Sequence, residues 1–214
     1  MGSDSGIVLI RSMGAADINA MAAIHCESFL DSRSTKLGVP FVRKMYRWFF
    51  EKQPALAFVA VIDDQPVGFV TGAIGGCSRK IFRYALSEII FGFLRKPGLF
   101  FESDMFELWP SYLLGLFPRY RNASQSVSGN GIPLKAVLAS IAVSPAGRGK
   151  KAAKALVSAF EVAARKQGAT TLALGVEYDN AAARRLYESC GWELIREDAA
   201  RNTASYIKVI KEVG

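Results

Sequence analysis

Four residues carry the clearest chemical signal in this chain: Arg148, Gly149, Lys150 and Lys151. Three are cations, and a glycine sits among them. Such a group holds an anion through formal charge and charge-assisted hydrogen bonds. Gly147 and Gly149 let a ligand come close to the backbone. From Arg148 onward the apolar residues fall at helical spacing: Ala152, Leu156, Ala159, Phe160 and Ala163. The first N–H groups of a helix have no partner within it, and the helix dipole favours negative charge at that end. The stretch reads as a turn that binds a pyrophosphate.

Two elements must hold that turn. On one side Val137–Val143 is apolar and β-prone, a buried strand stopped by Ser144 and Pro145. On the other side stands the helix. A second strand–helix pair follows. Thr170–Val176 reads as a strand, and Asp179-Asn180 opens a helix with Ala183, Leu186, Tyr187 and Cys190 on one face. Gly191 suits the C-terminal cap of that helix.

Together the two segments resemble the GNAT acetyltransferase superfamily. The strand–turn–helix segment resembles its V-x-P-x-x-R-G-x-G-x-G/A signature, here Val143, Pro145, Arg148, Gly149 and Ala153. The later segment is similar to its N-x-x-A-x-x-L-Y-E-x-x-G-F pattern, here Asn180, Ala183, Leu186, Tyr187, Glu188, Gly191 and Trp192. Lys151 departs from the pattern, standing where the family has its middle glycine. It either turns outward and strengthens the clamp or crowds it. Gly175 departs as well, standing where many members carry a glutamate.

The resemblance implies an α/β fold: a single GNAT-like domain over 1–214, with a mixed central sheet and helices on both faces. It implies an N-acetyltransferase that moves an acetyl group from acetyl-CoA to a primary amine in a direct ternary complex. Ile141, Ala142 and Val143 would offer backbone groups to the pantetheine arm, and an N–H there would bind the developing oxyanion. Arg148, Gly149, Lys150, Lys151, Ala152 and Ala153 would bind the pyrophosphate. Asn180 would contact the pantetheine or its neighbourhood. Tyr187 would lie near the sulfur as general acid, since a phenol with a reference pKa of about 10 stays protonated at neutral pH. With no acid at Gly175 or in Ala136–Val143, the acceptor ammonium would lose its proton through ordered water, helped by Glu177. Glu27, Asp31 and Glu107 read as surface carboxylates. On periodicity alone, Tyr187 reads as a core residue and Asn180 as a plain N-cap.

Composition agrees with anionic partners. The 214 residues hold 27 Lys and Arg against 19 Asp and Glu, a net charge of +8. The cations are dispersed and no nucleic-acid-binding module is legible, which argues against nucleic acid. Cys26, Cys77 and Cys190 are far apart and lack metal-ligand spacing, which fits a reducing, cytoplasmic setting. The N-terminal MGSDSG does not read as a signal peptide, and no uncharged apolar run is long enough to span a bilayer.

Upstream, Ile7–Ile10 reads as a first strand. Asp17 suits the cap of a helix with Ile18, Met21, Ala22, His25 and Phe29 on one face. His25, the single histidine, reads as a satisfied core residue. Asp31–Ser34 reads as a polar loop. A helix with Pro40 in its first turn follows, its face formed by Phe41, Met45, Trp48 and Phe49. Leu56–Ile62 and Val67–Ile74 form a hairpin across Asp63–Pro66. Trp192–Arg196 and Ala204–Ile210 end the chain as two strands.

Between the third and fourth strands lies a gap of about 75–133, too long for a structureless loop. Ser78–Leu94 reads as one helix, Leu99–Phe117 as an apolar, aromatic run, and Arg119–Gly131 as polar. This partly helical insertion packs on its own domain or walls the acceptor pocket. A homodimer contact ranks next, and a membrane surface last, because Glu88, Glu102, Asp104 and Glu107 oppose anionic lipid. The charge and the insertion suit an anionic small-molecule acceptor such as a nucleotide-linked amino sugar. The alternatives are a protein N-terminus or lysine, a longer acyl donor, or a non-catalytic acyl-CoA-binding sensor domain.

Overall fold

The computed structural model describes residues 6–52, 55–101 and 134–210. One seven-stranded sheet organises them, in the order β1-β2-β3-β4-β5-β7-β6. The strands are β1 (Leu9–Ser12), β2 (Ala55–Ile62), β3 (Gln65–Ile74), β4 (Lys135–Val143), β5 (Thr171–Val176), β6 (Glu193–Asp198) and β7 (Thr203–Val209). Every neighbouring pair is antiparallel except β4 and β5. The hairpin turn is shorter than the sequence suggests. Ile62 pairs with Gln65, and Asp63 and Asp64 both take left-handed dihedrals (φ 49° and 60°), which match the twist of the flanking strands.

Helices cover both faces, as expected of this class. One face carries α1 (Ile18–Ser28), α2 (Arg33–Leu37), α3 (Val39–Glu51), α4 (Ser78–Tyr84) and α5 (Leu86–Arg95). Its core joins Met21, Tyr46, Phe49, Val59, Phe69 and Ala142. The other face carries α6 (Ala152–Lys166) and α7 (Ala181–Ser189). There Leu156, Val157 and Phe160 of α6 pack with Val70, Leu138, Leu172 and Tyr206 of the sheet. Among the described residues no helix is long and apolar enough to cross a membrane.

Several local expectations are corrected. The first strand starts at Leu9, not Ile7. Asp17 stands at the start of α1 but makes no side-chain cap. Its carboxylate accepts two hydrogen bonds from Arg11 (2.6 and 2.8 Å) and one from the Gly14 N–H (2.7 Å) instead. A buried carboxylate gains more from a guanidinium fork than from a single amide. The polar loop Asp31–Ser34 runs into the short helix α2, whose N-cap Ser32 accepts from the Thr35 N–H at 3.2 Å. The helix after the basic turn begins at Ala152, the first of the residues at helical spacing.

The insertion does lie between β3 and β4. Its first part is two helices rather than one. At Ala85 the backbone leaves helical dihedrals (φ −105°, ψ 22°), and the turn lets Ile81 of α4 and Ile89 of α5 both bury towards α3. The Tyr84 hydroxyl donates to Glu51 of α3 at 2.7 Å, and Lys44 of α3 pairs with Glu88 of α5 at 3.5 Å. The described part of the insertion therefore packs on its own domain. The run Leu99–Phe117 lies almost wholly outside the described residues, and Arg119–Gly131 wholly so.

Candidate active site

The central feature is a gap in the sheet. β4 and β5 pair at only three positions, Lys135–Thr171, Ala136–Leu172 and Val137–Ala173. Beyond Val137 the two strands run on without pairing. The cause is a bulge. Against β3, Thr71 pairs with Ser140 and Gly72 with Leu138, so Ala139 is an extra residue. An extra residue bends its strand and ends regular pairing. The β5-facing edge of Leu138–Val143 is thus left without its strand partner. Ile141 and Val143, half-buried, lean on the α6 side, and Ala142 is buried on the α1 and α3 side.

β4 leads directly into the basic turn. Pro145–Gly147 form a short 3-10 turn, and α6 starts at Ala152. The first backbone N–H of the region to bond within the helix is that of Ala155, to the Lys151 carbonyl at 3.1 Å. The N–H groups of Ala152, Ala153 and Lys154 have no such partner. α6 has no side-chain cap and no acidic residue in its first turn. Arg148, Lys150, Lys151 and Lys154 form no ion pair among the described residues. Four cations at the positive end of a helix dipole are unfavourable by themselves and favourable around an anion.

The two glycines of this turn do different work. A Cβ at Gly149 (φ 76°) would meet nothing within 4 Å, so the space beside it is open. A Cβ at Gly147 would sit 2.8 Å from Val143 and 3.1 Å from Val67. Gly147 is therefore a packing glycine, not one that admits a ligand. Lys151 takes left-handed dihedrals (φ 60°, ψ 13°) and points an exposed side chain outward. A glycine adopts that conformation without strain, while a lysine gives up about 1 kcal/mol. Lys151→Gly is expected to raise the melting temperature slightly and to weaken binding of a phosphate ligand less than 10-fold, by removing one of several charges. Thermal melts with and without CoA measure both.

Tyr187 is carried by α7 and packs on the α6 side of the sheet. Its ring is buried in the cluster that contains Leu138 of β4 and Leu174 of β5, with Ile141, Val143 and Val176 packed against it. Trp192 and Tyr206 flank it, with ring centroids at 5.9 and 6.0 Å. Burial pushes its phenol well above the usual tyrosine range. The hydroxyl forms no hydrogen bond among the described residues, so its donor is unspent. The helix that carries it is anchored on both sides. Arg184 donates to the Tyr206 hydroxyl (3.1 Å), to the Tyr178 carbonyl (3.2 Å) and to Glu197. The Tyr206 hydroxyl donates to Glu188 at 2.8 Å. Beyond α7, Glu161 of α6 accepts from Trp192 Nε1 and from Lys208, both at 2.7 Å.

Asn180 is exposed, and its side chain accepts from the Ala183 N–H at 3.0 Å as N-cap of α7. Glu177 is exposed, and its carboxylate has no hydrogen bond or ion pair among the described residues. Glu27 and Asp31 are exposed as well. Beside Gly175 a Cβ would meet nothing within 4 Å, so no neighbour replaces a side chain there.

On the α1 and α3 side of the sheet, His25 is the satisfied core histidine that the sequence suggests. His25 is 5% exposed. Its Nδ1 is 2.7 Å from the Tyr46 hydroxyl and its Nε2 is 2.8 Å from Ser34 Oγ. Tyr46 is fully buried, and burial pushes its phenol well above the usual tyrosine range. Burial lowers His25 from 6.5 to about 4. Between those values the unfolded chain binds more protons, so this contribution is intact above pH 6.5 and is lost as pH falls towards 4. The shift is worth about 3 kcal/mol. The melting temperature should drop between pH 7 and pH 4, and His25→Gln should flatten that window.

With this geometry in place, comparison with known proteins is direct. The model of the acetyltransferase (GNAT) family matches residues 114–192, which take in β4, the basic turn, α6, β5 and α7. No curated protein is similar to the chain in sequence. Solved structures share its fold. A ribosomal-protein-alanine N-acetyltransferase from Brucella melitensis is 17% identical, with 94% of this chain and 99% of that chain covered and a TM-score of 0.57. The yncA protein from Salmonella typhimurium, solved with its cofactor acetyl-CoA, is 16% identical, with 96% and 95% covered and a TM-score of 0.57. The paiA N-acetyltransferase from Thermoplasma acidophilum, in complex with coenzyme A, is 14% identical, with 95% and 99% covered and a TM-score of 0.56. The family match covers residues 114–192 alone, and the solved structures show a shared fold over nearly the whole chain.

Proposed function

We propose that the chain is a GNAT-type acetyltransferase that moves an acetyl group from acetyl-CoA to a primary amine, with both substrates bound at once. The observation that carries the reading is the gap between β4 and β5, whose β4 edge leads straight into the uncapped, basic N-terminus of α6. The diphosphate of CoA sits on the N–H groups of Ala152 and Ala153 and among Arg148, Gly149, Lys150 and Lys151. The pantetheine arm runs along the free edge of Ile141, Ala142 and Val143 as an added strand would. Asn180 borders it, keeping its side-chain N–H₂ for the ligand while its oxygen caps α7. The amine nitrogen attacks the thioester carbon, an N–H of β4 holds the oxyanion, and the carbon–sulfur bond breaks. Tyr187 gives its proton to the leaving thiolate. Glu177 orients water near the amine.

The acceptor is an amine that carries negative charge. A phosphorylated small molecule such as a nucleotide-linked amino sugar fits the basic chain. A peptide N-terminus is the second reading, favoured by the ribosomal-protein-alanine N-acetyltransferases of Brucella melitensis and Escherichia coli among the fold relatives. The whole chain acts as one domain, and its free cysteines suit the reducing cytosol. The test is CoA release from acetyl-CoA across a panel of amino sugars, nucleotide-linked amino sugars, polyamines and acidic or alanine-initiated peptides. Turnover on one class identifies the acceptor. CoA binding with no turnover on any amine favours a sensor domain, and absence of CoA binding ends the reading.

A further inference from the structure

Glu188 belongs to the N-x-x-A-x-x-L-Y-E-x-x-G-F pattern, yet the chemistry proposed above gives it no task. Its place in the fold does. α7 carries Tyr187 and is capped by Asn180, but apolar packing holds it poorly. Tyr187 is its single buried residue. Ala183 and Leu186 are half-buried, and Ala181, Ala182, Arg185, Glu188 and Ser189 are exposed. A helix of 9 residues with so narrow an apolar face does not fix its own position.

A buried phenol fixes it instead. Tyr206 stands in the middle of β7, paired with Leu174 of β5 on one side and Leu194 of β6 on the other. The residue is fully buried, so the sheet sets where its ring lies. The Tyr206 oxygen accepts from Arg184 Nε at 3.1 Å, and its hydroxyl donates to Glu188 at 2.8 Å. Arg184 and Glu188 are four residues apart, one turn of α7 on one face. Tyr187 lies within that turn, and its ring centroid is 6.0 Å from that of Tyr206. One side chain thus holds the turn at both ends by hydrogen bonds and in between by ring contact. Both of its hydrogen-bond partners are charged, which makes each bond stronger than a neutral one. Arg184 extends the tie: it donates to the Tyr178 carbonyl at 3.2 Å, lies over the Tyr178 ring at 5.2 Å and pairs with Glu197 of β6. The Tyr187 hydroxyl itself has no hydrogen bond among the described residues, so only its ring and its helix aim it.

We infer that Tyr206, gripped by Arg184 and Glu188, is the positioning residue for Tyr187, holding that phenol at the distance from which it protonates the leaving sulfur. The inference rests on the acetyltransfer reading above, in which Tyr187 is the proton donor. Tyr206 acts through Tyr187 and is not itself a catalytic residue. A misplacement of about 1 Å in a reacting group costs up to about 100-fold in rate. Turnover therefore reports the loss of the grip, while CoA binding at the basic turn does not.

Tyr206→Phe keeps the ring and removes both hydrogen bonds. The test is a double-mutant cycle on acetyl transfer to the acceptor that the amine panel identifies. Y206F is expected to lower kcat about 10-fold, with the KM for acetyl-CoA and the CoA-induced rise in melting temperature close to wild type. In a Y187F background the same change is expected to leave kcat within about twofold, because no donor remains to be aimed. A merely structural tyrosine costs the same in both backgrounds, and that additive result overturns the inference. Glu188 is exposed, so its variants keep the test decisive if Y206F does not fold. Glu188→Ala is expected to follow Y206F. Glu188→Gln keeps an oxygen for the Tyr206 hydroxyl and is expected to recover most of that loss. Wild-type kcat in E188A overturns the inference, as does an equal loss in E188A and E188Q. Wild-type kcat in Y187F overturns it too, as does a protein that binds CoA but acetylates no amine. Absence of any CoA-induced rise in the wild-type melting temperature fails the acetyltransfer reading itself, and the inference falls with it.

Discussion

Ala153→Glu is expected to abolish CoA binding at ordinary concentrations while leaving the unliganded protein as stable as before, or slightly more so. Ala153 is a first-turn residue of α6, half-buried, beside four unpaired cations and a helix end without a cap. A carboxylate there satisfies the dipole and the lysines, a gain of about 0.3–1 kcal/mol. It also occupies the place of the diphosphate and repels it. At a separation of about 5 Å and an effective dielectric of about 20, one pair of like charges costs about 3 kcal/mol. That is about a 100-fold loss in affinity. The two effects have opposite signs because the native turn is tuned for a ligand rather than for the free helix. Calorimetric titration of CoA and a melt without ligand separate them. An A153E protein that binds CoA within twofold of wild type removes the diphosphate from this turn.

Tyr187→Phe is expected to lower kcat about 100-fold, the low end of what a positioned proton donor contributes. The ring keeps its packing against Trp192 and Tyr206, so the melting temperature and the KM for acetyl-CoA should stay close to wild type. Burial raises the phenol well above its ordinary pKa. Deprotonation of Tyr187 therefore takes no part in any loss of activity on the alkaline side up to about pH 10. The pH–rate profile of wild type and Y187F, followed by CoA release, tests both statements. A variant within twofold of wild type in kcat would return Tyr187 to the ordinary core. So would a wild-type alkaline limb near pH 9 that the variant lacks.

Both predictions concern residues that were legible before folding was considered. Arg148, Gly149 and Ala153 are recognisable because a phosphate-binding turn is local: a strand end, a few residues and a helix start suffice. Tyr187 was legible only as a position in a spaced motif. Its helical face alone also fits a core residue, and the ring is in fact buried. What makes it a candidate donor is a hydroxyl left without a partner, which no periodicity reports. Gly147 was misread for the same reason. Spacing puts it in the turn, but its neighbours Val67 and Val143 come from two different strands. The one helix expected over Ser78–Leu94 became two because burial against α3, not the local pattern, set the break at Ala85.

The order of elements, the α/β alternation, the long insertion after the third strand and the basic turn were determined by the sequence alone, because each is written in spacings of a few residues. The tertiary structure alone decided three things. It limited β4 and β5 to three pairs and opened the gap through the extra residue Ala139. It held Lys151 in a left-handed conformation. It brought His25, Tyr46 and Ser34 from three helices into one hydrogen-bonded line. Pairing register, backbone strain and buried polar contacts depend on which distant segments share a face of the sheet, and a linear pattern carries no record of that.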